Sequence, residues 1–187
     1  MKPKGNSKYV GKPKFWPKNE DKVPSEIKEM IFQQYYSRDT LFIYCDMSMK
    51  HNYPTMAVAC SYIKDSLVQV KQQYVHPPRE SVSKNIYGEL KAILFALTHF
   101  EKYIGDCSTI IFYSDVRDIE KFLTKEIVFK KNDSLSQLQE EIHLMFRKIK
   151  NKHTNKNITV CYLSHELRKY NPFYKSAHNA AKRMLNG

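Results

Sequence analysis

Three strand-like runs, near 40 to 46, 56 to 63 and 67 to 75, follow one another with only short polar stretches between them, His51-Asn52-Tyr53-Pro54 and Lys64-Asp65-Ser66. Turns this short permit only antiparallel neighbours, so the three form a meander. From there the pattern changes period. A helix is predicted over about 84 to 103, where Ile86, Leu90, Ile93, Leu94, Leu97 and Phe100 recur at helical spacing ahead of Gly105. A fourth strand (109 to 114), a short helix (116 to 124), a longer helix (134 to 150), a fifth strand (158 to 163) and a last helix (173 to 185) follow. Strands separated by helices join the sheet through crossovers and run parallel. The predicted fold class is therefore α/β, a five-stranded mixed sheet of three antiparallel strands then two parallel ones, with helices on both faces.

Two of these strand runs end on an acid. Leu41-Phe42-Ile43-Tyr44-Cys45 leads into Asp46, and Thr109-Ile110-Ile111-Phe112-Tyr113 leads into Ser114-Asp115. Ligand sites in open α/β sheets lie beyond strand C-termini where the chain switches direction, and strands one and four are expected to be neighbours at that switch. Glu89 sits inside the first core helix next to Gly88, close to its apolar face, where a solvated Glu is a modest competitor to a buried one. An Asp after a strand also suits a turn or a helix cap, and Asp115 has that second use ahead of the helix at 116. Asp118 is expected to pair with Lys121 on a helix surface and is given no role. Three carboxylates placed this way suit metal ions better than a core.

The remaining composition narrows the class. With 187 residues and 42% hydrophobic content the chain builds one domain and an appendage, and it lacks the roughly 18 consecutive apolar residues of a membrane span. The start, Met1-Lys2-Pro3-Lys4, lacks the apolar segment of a secretory signal, and Cys45, Cys60, Cys107 and Cys161 show no C-x-x-C spacing, so a cytoplasmic protein with reduced cysteines is expected. The net charge of +12 points to a polyanionic partner, although a Lys-rich composition alone accounts for it nearly as well. Residues 1–22 carry seven lysines against Glu20 and Asp21, a net +5 that leaves +7 for the rest. Residues 1–22 are expected to be a disordered or loosely docked basic arm, in which Phe15 and Trp16 dock on the domain rather than stack on bases. Residues 23–39 form a helical lead-in with Ser25 as N-cap, and residues 40–187 form the domain proper.

At this point the chain resembles the ribonuclease H family. Asp46-Met47-Ser48 looks like its D-x-S, Ile111-Phe112-Tyr113-Ser114-Asp115 like its I-x-x-S-D, and Asn85-Ile86-Tyr87-Gly88-Glu89 like the asparagine that precedes its helical glutamate. Ala177-His178-Asn179-Ala180-Ala181-Lys182 is similar to its A-D-x-L-A-[KR], with His where the family has Asp. The likeness spans about residues 40 to 185. It implies a metal-dependent endonuclease that hydrolyses the RNA strand of RNA–DNA hybrids, with Asp46, Glu89, Asp115 and His178 holding two Mg²⁺ or Mn²⁺ ions. It further implies that Ser48 and Asn85 contact the substrate and that the protein acts as a monomer on nucleic acid, away from membranes. His178 departs from the family pattern by one negative charge, which weakens hard-cation binding and favours Mn²⁺. The loop Lys125 to Lys131 is short where hybrid-binding members carry a basic protrusion, and His165 sits at an uncertain match to the family's loop histidine. The rival readings are a nucleic-acid-binding module without catalysis and a related single-strand or junction nuclease.

Overall fold

Alternate residues of one strand divide the molecule into two cores. In the computed structural model, which describes residues 13–18, 20–50 and 54–186, strand β1 (Thr40–Met49) sends Leu41, Ile43, Cys45 and Met47 to one side of the sheet. Phe42 and Tyr44 go to the other side. A period of two on a strand buried on both faces requires this division. The first side packs under helices α2 (Asn85–His99) and α5 (Asp133–Lys152), whose Leu90, Ile93, Leu97, Leu138 and Ile142 join it. The second is covered by α1 (Ser25–Tyr36) and α7 (Pro172–Asn186).

The sheet runs in the order β3 (Leu67–Val75), β2 (Met56–Lys64), β1, β4 (Thr109–Ser114), β5 (Asn157–Tyr162). β1 pairs antiparallel with β2 and β2 with β3, whereas β1 with β4 and β4 with β5 are parallel. This is the mixed five-stranded sheet expected from the order of periodicities. Short helices α3 (Glu101–Ile104), α4 (Ile119–Thr124) and α6 (His165–Tyr170) fill the connections. All four cysteines are free thiols, three of them buried. Among the described residues no helix is long and apolar enough to cross a membrane.

Three local expectations need correction. β1 does not stop at Asp46: its pairing with β4 ends at Tyr44↔Tyr113, but its pairing with β2 continues to Met49↔Met56, so Asp46 lies inside the strand, two residues past its last parallel pair. Ser25 is not the N-cap of α1, because Pro24 holds that position in an extended conformation and Ser25 is already helical. His165 is not a loop residue. It opens α6, where Ser164 as N-cap accepts a hydrogen bond from the Leu167 amide.

The lead-in also docks earlier than a boundary at residue 22 implies. Trp16 is buried, its indole N–H donates to the Tyr170 carbonyl at 2.7 Å, and Phe15 meets Tyr35 and Phe173 edge to face. The rest of the expected arm, residues 1–12 and 19, lies outside the described residues.

Candidate functional site

The site is assembled where the parallel pairing of β1 and β4 runs out. Their register, Thr40↔Thr109 to Tyr44↔Tyr113, carried two residues further sets Asp46 beside Asp115 on the α7 side of the sheet. Tyr44 and Tyr113, one position back on that face, stack with centroids 4.7 Å apart and fix the two strand ends against each other. Ser114 ends β4 by accepting a hydrogen bond from the Val116 amide through its side chain, a local turn that presents Asp115. Glu89 arrives from α2, one turn in from its start at Asn85. That helix can approach the sheet because residue 88 is glycine: a Cβ there would lie 2.1 Å from Cε of Met47 and 3.1 Å from Sδ of Met56. Ligand atoms of Asp46, Glu89 and Asp115 all lie within 4.8 Å of one another.

Three carboxylates this close resist simultaneous ionisation. Burial pushes the Asp46 carboxyl above its usual range, an effect that the hydrogen bonds from Tyr174 and His178 partly reverse. Glu89 is pushed up well beyond the ordinary carboxylate range, first by burial and then by the negative charges of Asp115 and Asp46. The cluster therefore holds more negative potential than the protein around it compensates. A bound cation would relieve both effects at once.

The chain supplies partial compensation from α6 and α7. The Tyr174 hydroxyl donates to Oδ1 of Asp46 at 2.8 Å, and Nδ1 of His178 lies 2.8 Å from Oδ2 of the same residue. Nη1 of Arg168 lies 2.6 Å from Oδ2 of Asp115. Small side chains make the approach of α7 close enough: Ala177, Ala180 and Ala181 pack on Ala57 and Ala59 of β2, and Ala59 is the partner of Asp46 across the β1–β2 pair. Tyr174 and His178, four residues apart, share the face of α7 that meets Asp46. Asn171 starts this helix by accepting hydrogen bonds from the Phe173 and Tyr174 amides, with Pro172 at the first helical position.

The structure thus brings Asp46, Glu89 and Asp115 together and attaches His178 to Asp46 alone, outside the three-acid cluster. Ser48 lies two residues past Asp46 on the same face of β1, and Asn85 lies one turn before Glu89 on α2. Arg168 and Tyr174 carry no sequence motif. The legible hints were the i, i+4 spacing of Tyr174 to His178 and the Asn171-Pro172 helix start.

No family model matches the sequence, and no curated protein does. Solved structures do. The RNase H1 of the halophilic archaeon Halobacterium salinarum NRC-1 is 15% identical with a TM-score of 0.53, covering 76% of this chain and 99% of that one. LC11-RNase H1, isolated from compost by a metagenomic approach, is also 15% identical, with a TM-score of 0.54 over 79% of this chain and 99% of its own. The chain has the ribonuclease H fold. A second structure of LC11-RNase H1, in complex with an RNA/DNA hybrid, aligns at 16% identity and a TM-score of 0.52, covering 78% of this chain and 99% of that one. Within the ribonuclease H fold of this chain, Asp46 lies inside the first strand just past its parallel pairing, Asp115 directly follows the fourth strand, and Glu89 lies one turn into α2.

Proposed function

We propose that Asp46, Glu89 and Asp115 hold divalent cations and that the protein is a ribonuclease H-type endonuclease hydrolysing the RNA strand of RNA–DNA hybrids. The observation that carries this reading is the convergence of three carboxylates within 4.8 Å on a ribonuclease H fold, with burial first, and then the charges of Asp115 and Asp46, pushing the Glu89 carboxyl above its ordinary range. An all-oxygen donor set suits hard ions, Mg²⁺ or Mn²⁺. When bound, a pair of such ions activates water and stabilises the leaving oxygen of a phosphodiester.

The chain's own residues set the conditions for that chemistry. Asp46 would still be able to ligate a cation, because each oxygen that accepts a hydrogen bond from Tyr174 or His178 retains a further lone pair. An ionised Asp46 can only accept, so His178 donates through Nδ1–H, and the ring would have to give up this bond and turn a nitrogen toward a bound ion to join its coordination. Arg168 lowers the charge of the cluster by its bond to Asp115 and competes with a cation for that carboxylate. In this reading Ser48 and Asn85 would contact the substrate, and 2′-hydroxyl contacts on the RNA strand are what would select a hybrid over DNA.

A second reading draws on the same bonds: with Asp46 engaged by Tyr174 and His178, and Asp115 by Arg168, the fold would bind nucleic acid without cleaving it. Incubation of an end-labelled hybrid with Mg²⁺ or Mn²⁺, beside duplex DNA, single strands and a four-way junction, separates the readings. The expected result is cleavage of the RNA strand of the hybrid, abolished in Asp46→Asn. Binding without cleavage supports the second reading, and preference for single strands or junctions overturns the substrate assignment.

A further inference from the structure

On the other flank of the α6–α7 corner the docked segment forms the wall of a cleft of about 510 Å³. Lys18 and Lys22 enter it from that segment, Lys169 from α6 and Lys175 from α7, with Trp16 and Tyr170 between them. All four lysines are exposed, and none forms a salt bridge with a carboxylate among the described residues. Among the described residues no Asp or Glu lines the cleft, Glu20 and Asp21 included. A lysine-rich composition scatters charge over a surface. Here two stretches far apart in sequence, residues 15–23 and 169–175, deliver four ammonium groups to one concavity, a concentration of positive charge that an anion complements.

The cleft is joined to the acid cluster by two consecutive residue pairs. Arg168, which grips Asp115, precedes Lys169, and Tyr174, which bonds Asp46, precedes Lys175. Successive helical residues point about 100° apart, so one flank of the corner meets the acids and the next meets the cleft. The wall is fixed in place by the Trp16 bond to the Tyr170 carbonyl and by the rings around Phe15. Lys169 is itself held over the Tyr170 ring, 4.8 Å from its centroid.

We propose that this cleft binds the phosphodiester backbone of a nucleic-acid strand that continues past the acid cluster, anchoring the substrate at a distance from the scissile bond. The proposal rests on the nuclease reading for the identity of the strand, while its test is independent of cleavage. Lys18, Lys22, Lys169 and Lys175 act by charge, so replacing all four by Gln removes the contacts without touching the acids, Arg168 or Tyr174. Affinity for a fluorescent RNA–DNA hybrid and for single-stranded RNA is measured in EDTA, where no metal-dependent cleavage occurs, over a series of salt concentrations. The slope of log affinity against log salt should become shallower by roughly 0.9 for each lost phosphate contact on the hybrid, or 0.7 on the single strand. The double variant Lys18→Gln/Lys22→Gln should give an intermediate slope. A control with Lys71, Lys102, Lys148 and Lys150 changed to Gln removes equal charge from other faces and should leave the slope near that of the parent.

An unchanged slope in the cleft variant, or an equal loss in the control, overturns the proposal. So does a parent protein that binds neither probe, or a cleft variant that loses affinity for poly-glutamate as it does for RNA. Cleavage by the parent with an unchanged slope leaves the nuclease reading standing without the cleft. A parent that cleaves nothing while the slope falls only in the cleft variant leaves the cleft standing without the nuclease.

Discussion

The two sides of the sheet are built from different materials. Under α2 and α5 the core is almost wholly aliphatic and aromatic, closed around Leu41, Ile43, Ile93, Leu97, Phe100 and Phe112. Under α1 and α7 the buried side chains include Gln34 bonded to the Tyr44 hydroxyl, Asn171 bonded to two helix amides, and Asp46 held between Tyr174 and His178. The first side uses non-directional burial of a large apolar cluster. The second depends on aimed polar contacts, each costly to leave unmade, and it sets the geometry of the acids. Stability and chemistry can therefore be separated by mutation.

The largest separation should come from the acids. Asp46→Asn and Asp115→Asn are expected to lower metal-dependent hydrolysis by on the order of 10³-fold or more, since the charge removed supports several kcal/mol of transition-state stabilisation. Their circular dichroism should match the parent. Full activity in either purified mutant would remove the site from this side of the sheet. The converse substitution is Phe112→Ala, on the aliphatic side, where Phe112 is fully buried. It is expected to cost about 3–5 kcal/mol in chemical denaturation while leaving the metal dependence of any cleavage by the folded fraction unchanged.

A pH series probes the compensation of the cluster. Glu89 and Asp46 have folded-state pKa values raised above the ordinary carboxylate range. Such groups favour the folded state at low pH, and that advantage is lost as pH rises through their folded pKa values, because the native state must then carry charges the unfolded chain carries more easily. Melting temperature in EDTA should therefore contain a component that falls as pH climbs above the usual carboxylate range. Mg²⁺ or Mn²⁺ should restore it most strongly at the higher pH, and Glu89→Gln should flatten the profile. A parent profile in EDTA indistinguishable from that of Glu89→Gln would show that the three acids do not burden the fold.

His178 should give a smaller and more selective effect. With an imidazole where a fourth carboxylate would add negative charge, the parent is expected to favour Mn²⁺ over Mg²⁺. His178→Asp should raise Mg²⁺-supported cleavage, and His178→Ala should impair it with either ion. Equal behaviour of all three proteins would reduce the site to three carboxylates. The smallest effect is expected at Gly88→Ala, where the new Cβ displaces the flexible end of Met47 and moves α2 slightly from the sheet. A cost of about 1–3 kcal/mol and weaker metal binding are expected together.

The same contrast explains what was legible in the sequence. Elements of the aliphatic side announce themselves by period: α2 at Asn85–His99 and α5 at Asp133–Lys152 lie close to their predicted ranges, and β4 matches its own. Asp46 and Asp115 were legible because each follows an apolar strand run, and Glu89 because it sits beside the apolar face of a helical one. α6 was missed because its six residues, His165–Tyr170, are too few to show a helical period, although Ser164 offered a cap. With α6 went Arg168, whose bond to Asp115 spans 53 residues of sequence and leaves no local trace. The docking of Phe15 and Trp16 was expected from their chemistry, but their partners Tyr35, Tyr170 and Phe173 are fixed only by tertiary packing.

Crystals soaked in Mn²⁺ and measured for anomalous scattering test the central claim most directly. The expected result is strong density at roughly 2.1 Å from carboxylate oxygens of Asp46, Glu89 and Asp115, with the Arg168 bond to Asp115 lengthened or broken, and loss of that density in Asp46→Asn. Contradiction would be a map with no manganese among the three acids while Arg168 and His178 keep their present bonds to Asp115 and Asp46.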